Sequence, residues 1–220
     1  METAQFWTGL AEQTDKVFKS HSSLYDHRKE YPWLTGALGN PNSGIWFIAE
    51  NPSLTQIERV QDPGGGPPSV EAQWWASKGD RLFRDMLVEC GFKNGTIDSP
   101  GGWNCYITNV VKETDYTSRW REKSQESRNQ AAEIWSSVLA WELANSRPIY
   151  VIIFGGAAAK LLDHLQTKNK IHLPRNEQIK HYAYVGQRAE GKLGPMDPSR
   201  VKRYFEDFSR IRDTFSKLKY

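Results

Sequence analysis

An unbroken apolar run that ends in a polar turn limits the fold of this chain more than any other feature. Gly44-Ile45-Trp46-Phe47-Ile48-Ala49 is followed at once by Glu50-Asn51-Pro52-Ser53. The run does not alternate, so both of its faces need cover, as in a strand inside a parallel sheet. Open sheets of that kind gather their ligands at the carboxyl ends of the strands. The turn therefore puts one carboxylate, Glu50, and one amide, Asn51, at the expected site. Pro52 after Asn51 also suits a helix start with Asn51 as its cap.

Further apolar stretches supply more strands: Cys105–Val111, Ile149–Phe154 and residues 180–185. Asp80–Cys90 predicts a helix, with Leu82, Phe83, Met86, Leu87 and Cys90 on one face and Gly91 as its stop. Other helices are predicted near 3–19, over roughly 124–145, from Ala157 to Leu165, and in a closing segment marked by Val201, Tyr204, Phe205, Phe208, Ile211, Phe215 and Leu218. Strands alternating with helices predict an α/β protein. The expected form is a three-layer α/β/α sandwich around a mostly parallel sheet of four central strands. A length of 220 residues, with no internal repeat, predicts a single domain over 1–220. Residues 62–69, Asp-Pro-Gly-Gly-Gly-Pro-Pro-Ser, exclude both helix and strand and predict an exposed loop.

The formal net charge is +3, which excludes a histone-like polycation. Arg200, Lys202, Arg203, Arg210, Arg212, Lys217 and Lys219 crowd the C-terminal segment. That reads either as a face for nucleic acid or as a solvated helix. Cys90 and Cys105 are the only cysteines. Two cannot build a zinc or iron–sulfur site alone, so neither metal nor cofactor is expected. With no long apolar run, the chain is expected to carry no signal peptide or membrane helix and to be cytoplasmic.

The predicted rim resembles that of the uracil-DNA glycosylase superfamily. The superfamily's first motif reads Gly-Glu-Ala-Pro-Gly in one branch and Gly-Ile-Asn-Pro-Gly in the mismatch-specific branch; Ala49-Glu50-Asn51-Pro52-Ser53 mixes the two. Tyr106-Ile107-Thr108-Asn109-Val110-Val111-Lys112 repeats a run of the iron–sulfur branch letter for letter. The apolar strand, glycine and alanine-rich helix from Ile152 to Leu162 resemble the same branch, and Arg81–Met86 resembles a helix of the mismatch-specific enzymes. The likeness runs over roughly 44–215. That branch needs four cysteines for its cluster, and this chain has two. The second motif, His-Pro-Ser or His-Pro-Ala, follows the last core strand. Here it maps to Val185-Gly186-Gln187, or one position later, and the histidine is absent; His181 lies within the expected strand and His172 before it, so neither sits at the motif.

The resemblance implies a flipped-base pocket, DNA as partner and a monomer. It implies that Asn51 positions a water, unless it is a plain helix cap, and that Glu50 contributes charge or takes a proton, unless it is structural. It implies that Asn109 reads the Watson–Crick edge of a pyrimidine, unless it is a strand-end asparagine bonded to nearby backbone, and that Trp74 or Trp75 stacks under the base, unless both are core. Ser53 stands where the strictly uracil-specific branch holds a tyrosine against the C5 group, so a C5-substituted base is expected to fit. Gln187 is a candidate donor in place of the histidine, and Arg188 a candidate phosphate contact or wedge; Gly65 and Ser69 are candidates for close approach to DNA phosphates. The expected activity is a DNA glycosylase that everts a modified or damaged pyrimidine and leaves an abasic site. Its setting is base-excision repair, or defence against phage DNA with modified cytosines such as glucosylated hydroxymethylcytosine. The alternatives are a non-catalytic reader of flipped or modified bases and a phage-type enzyme processing hypermodified thymine.

Overall fold

The apolar run becomes the middle strand of a five-stranded sheet, and the cause is its two-sided burial. In the computed structural model, which describes residues 2–31, 34, 36–60, 78–97, 99–189 and 192–218, β1 spans Ala37–Gly39 and β2 spans Ile45–Ala49. β3 (Tyr106–Asn109) and β4 (Tyr150–Phe154) flank β2, both parallel to it, so that Phe47 stands between Ile107 and Ile152. β5 (Arg175–Ile179) runs parallel along the outside of β4, and β1 runs antiparallel along β3. The order is β1-β3-β2-β4-β5.

Alternate side chains of these strands leave on opposite faces. Trp46, Ile48, Tyr106, Val151 and Ile153 pack against the buried residues of α1 (Thr3–Ser20), α5 (Gln125–Ser146) and α6 (Gly155–Thr167). Ile45, Phe47, Ile107, Tyr150, Ile152 and Phe154 pack against α3 (Lys78–Glu89) and α7 (Pro198–Leu218). The outcome is the expected three-layer α/β/α sandwich. Two short helices, α2 (Leu54–Val60) and α4 (Thr117–Glu122), lie on the connections after β2 and β3, and a hairpin of β6 (Gly186–Ala189) and β7 (Lys192–Met196) precedes α7. Among the described residues, no helix is long and apolar enough to cross a membrane.

Three expectations need correction. Among the described residues the sheet has five strands, not the four expected; β1 is only three residues long and carries no readable period. The helix after the first turn starts at Leu54, with the Ser53 carbonyl accepting from Ile57 N–H at 3.0 Å, so Asn51 is not its cap. The strand expected over 180–185 lies earlier, at Arg175–Ile179. β5 is an edge strand, and edges are protected by polar side chains, as Arg175, Asn176, Glu177 and Gln178 are. Its apolar successors form a 3-10 turn, Tyr182–Val185, instead. That turn packs on α3 and buries Val185: the Tyr182 ring stacks on Phe83 with centroids 5.8 Å apart and planes 9° from parallel.

Candidate active site

Four neighbouring parallel strands end on one rim. The register pairs Ala49 with Asn109 and Phe154 with Ile179. Beyond those pairs the chain continues into Glu50 and Asn51 after β2, Gly155 after β4 and His181 shortly after β5. The ends of β2 and β3 stay joined past the strands: Val110 N–H donates to the Ala49 carbonyl at 2.9 Å, and Val111 N–H to the Glu50 carbonyl at 3.0 Å.

Freed from capping, the Asn51 amide donates from Nδ2 to the Pro52 carbonyl at 3.2 Å and stays half-buried. The Glu50 carboxylate, also half-buried, faces Arg128 Nη1 of α5 at 3.5 Å, a loose pair rather than a tight fork. The Ser53 hydroxyl shares a 2.7 Å hydrogen bond with Thr117 Oγ1. α4 is thereby docked on the first turn, and Leu54 N–H donating to the Asp115 carbonyl at 2.9 Å adds to the join. Asn109 is 1% exposed, and its Nδ2 donates to the Gly36 carbonyl at 3.4 Å.

The seven-letter run around Asn109 has a second job that its resemblance does not reveal. Tyr106 Oη and Thr108 Oγ1 donate to Glu142 Oε1 at 2.6 and 2.8 Å, and Lys112 Nζ lies 2.7 Å from Glu142 Oε2. Lys112 also donates to Thr108 Oγ1. Glu142, on α5, is fully buried. Burial pulls the Lys112 ammonium below its ordinary pKa, against the upward pull of Glu142. Three of the seven residues therefore tie the β3 end to α5 around one buried carboxylate.

With β5 ending at Ile179, the residues that follow the last parallel strand are His181-Tyr182-Ala183. That is where the resemblance calls for a histidine. The mapping to Val185–Gln187 came from a strand placed too late, and an exposed polar edge strand was the signal that would have corrected it. Ala183 N–H donates to His181 Nδ1 at 3.1 Å, so Nδ1 holds a lone pair and the neutral ring carries its proton on Nε2. Burial, and then the Arg121 guanidinium, push the His181 pKa down from 6.5 to about 4. The ring is thus a neutral Nε2–H donor at pH 7. Gly155, with φ +76°, allows β4 to end against it, since a Cβ there would stand 3.1 Å from His181 Cβ.

Between pH 6.5 and about 4 the unfolded chain binds a proton at His181 that the folded chain refuses. The stabilisation is complete above 6.5 and is lost as the pH falls toward 4, by at most about 3 kcal/mol. His181→Gln should flatten that part of a urea-midpoint-against-pH curve, and an unchanged slope would contradict the assignment.

Gln187 and Arg188 lie on β6, the first arm of the hairpin that leaves the His181 turn. Trp74, Trp75, Gly65 and Ser69 lie outside the described residues. Among the described residues, no three His, Cys, Asp or Glu side chains group as a metal site, and Cys90 and Cys105 are both free and buried. A neutral donor, an amide beside a carboxylate, and a second, enclosed amide on one rim suit charge stabilisation and water placement around a bond that breaks heterolytically.

No curated protein matches the chain. The family model of the uracil DNA glycosylase superfamily matches residues 37–210. Members of that superfamily are DNA glycosylases, hydrolases that bind DNA. The matched span begins at β1, takes in every strand of the sheet and both turns of the rim, and ends within α7. The chain belongs to the uracil DNA glycosylase superfamily.

Proposed function

We propose that this protein is a monofunctional DNA glycosylase that everts a modified or damaged pyrimidine, hydrolyses its N-glycosidic bond and leaves an abasic site. The observation that carries this reading is His181, a neutral Nε2–H donor on the turn after β5, on the rim that bears Asn51 and Asn109. Cleavage leaves an oxocarbenium-like sugar and an anionic base. His181 Nε2–H donates to the base oxygen on which that charge collects. The Asn51 amide orients the attacking water; an amide is too weak a base to deprotonate it early, so attack comes late, on a nearly free cation. The Glu50 carboxylate favours the cation and takes the water's proton, and its loose pairing with Arg128 leaves it able to do both.

The base edge replaces Gly36 as the partner of the Asn109 amide. Ser53, its hydroxyl turned to Thr117, leaves the pyrimidine C5 side without a bulky block. The preferred target is therefore a modified pyrimidine. Its setting is base-excision repair or defence against phage DNA with modified cytosines. Trp74 or Trp75 supplies the stacking surface, and Gly65 and Ser69 meet phosphates. Arg188 on the hairpin serves as phosphate contact or wedge, and Gln187 beside it contacts the strand rather than replacing a histidine.

Purified protein incubated with oligonucleotides carrying uracil, 5-hydroxymethylcytosine or glucosylated hydroxymethylcytosine, with released bases read by mass spectrometry, tests this directly. Free base and an alkali-labile site should appear with a 5-substituted pyrimidine. Release from uracil alone would remove the C5 proposal. Tight binding without any free base would replace the enzyme by a non-catalytic reader.

A further inference from the structure

We infer that Arg121 forms a binding site for the phosphodiester flanking the everted nucleotide. The inference rests on the glycosylase reading for the everted state and deepens it, by naming the group that holds the backbone.

α4 is fastened to the first turn through Thr117, whose Oγ1 meets Ser53 Oγ at 2.7 Å and whose N–H donates to Thr55 Oγ1 at 3.3 Å. Arg121 is four residues further along the same helix, so it leaves α4 on the face that Thr117 turns to the motif. It is exposed to solvent. Its charge is also felt at His181, on the other turn of the rim. The fastening of Thr117 to the first turn, one helical turn before Arg121, therefore sets this guanidinium on the side of α4 that faces the Asn51 turn.

The neighbouring cations each have a carboxylate within 4 Å. Lys123 pairs with Asp115 at 2.9 Å, Arg119 with Asp115 at 3.8 Å, and Arg128 with Glu50 at 3.5 Å. Among the described residues, no carboxylate pairs with Arg121. A permanent cation with a planar fork of donors, open to solvent at the mouth of a site, fits a phosphate oxygen pair. A base carbonyl is the poorer match, because the groups that face a base, Asn109 and His181, are less exposed than Arg121. The phosphate so held is fixed beside the sugar on which the cation develops, and the strand is kept in its everted form while the bond breaks.

Arg119 supplies the control. It lies two residues before Arg121, about 200° around the helix, and its guanidinium rests on the Tyr116 ring at 4.9 Å. Arg119→Gln and Arg121→Gln remove the same charge from the same helix. With a duplex that carries an excised base, Arg121→Gln should raise KM about ten- to a hundredfold and lower kcat less than about threefold. The slope of log binding constant against log salt should fall by about 0.9. Arg119→Gln should change KM less than about threefold, and Arg121→Lys should recover part of the loss as a point charge. Equal effects of the two glutamine variants, or an unchanged salt slope in Arg121→Gln, would overturn the site. Wild-type protein that binds duplex but releases no base would end the glycosylase reading by itself, and the salt slopes would still decide the phosphate contact.

Discussion

Replacing His181 by Ala should lower kcat for base release about 10²- to 10³-fold and leave KM nearly unchanged. The donor acts on charge that exists only as the glycosidic bond breaks, so its loss falls on the chemical step and not on ground-state binding. Three features suit the ring to the proposed task. The Ala183 amide holds Nδ1 as acceptor, burial keeps the ring neutral at working pH, and the close end of β4 at Gly155 leaves it little room to turn. His181→Ala removes a group that is costly to charge but also its ring packing on Tyr182 and Phe154, so urea unfolding at the assay pH separates a loss of fold from a loss of chemistry. Single-turnover measurements of base release would show the effect, and a loss of less than threefold would mean that His181 does not reach the base. Asn51→Ala should cost a similar amount, and the double variant much less than the product of the two, since water placement and leaving-base stabilisation serve one transition state.

Lys112→Met should destabilise the fold by about 3–5 kcal/mol, the largest stability effect expected from a single change. It strands the Glu142 carboxylate in the interior, 0% exposed, with only the hydroxyls of Tyr106 and Thr108 to answer it. Adding Glu142→Gln to Lys112→Met should restore a large part of the stability, because a neutral amide keeps an oxygen for those two hydroxyls and removes the unpaired charge. Urea unfolding at pH 7 would measure both. A single variant that loses less than about 1 kcal/mol would show that the Lys112–Glu142 pair contributes little to the fold. Because the same residues bracket Asn109, base release should fall in Lys112→Met even where the protein remains folded.

The strand Ile45–Ala49 and its turn were legible because five consecutive residues offer no polar face, and only a sheet covered on both sides accepts them. The helix Lys78–Glu89 was legible because its apolar residues recur at helical spacing. The superfamily was legible in the order of short motifs. The last parallel strand was not, since Arg175–Ile179 is polar and owes its place to pairing with β4. That one misplaced strand hid His181. The reading of Asn51 as a helix cap was equally local, and the structure removed it by starting α2 at Leu54.

What the amino-acid sequence determined alone is the class of the fold, the rim on which Glu50, Asn51 and Asn109 stand, and the kinship of the chain. Apolar runs and turn residues act over a few positions and leave their mark in the order of letters. Only the tertiary structure decided that His181 follows the final strand as a neutral donor and that Lys112 answers a carboxylate 30 residues away on α5. Burial, pKa and pairing at those positions depend on which distant segments pack together, and no local pattern records that.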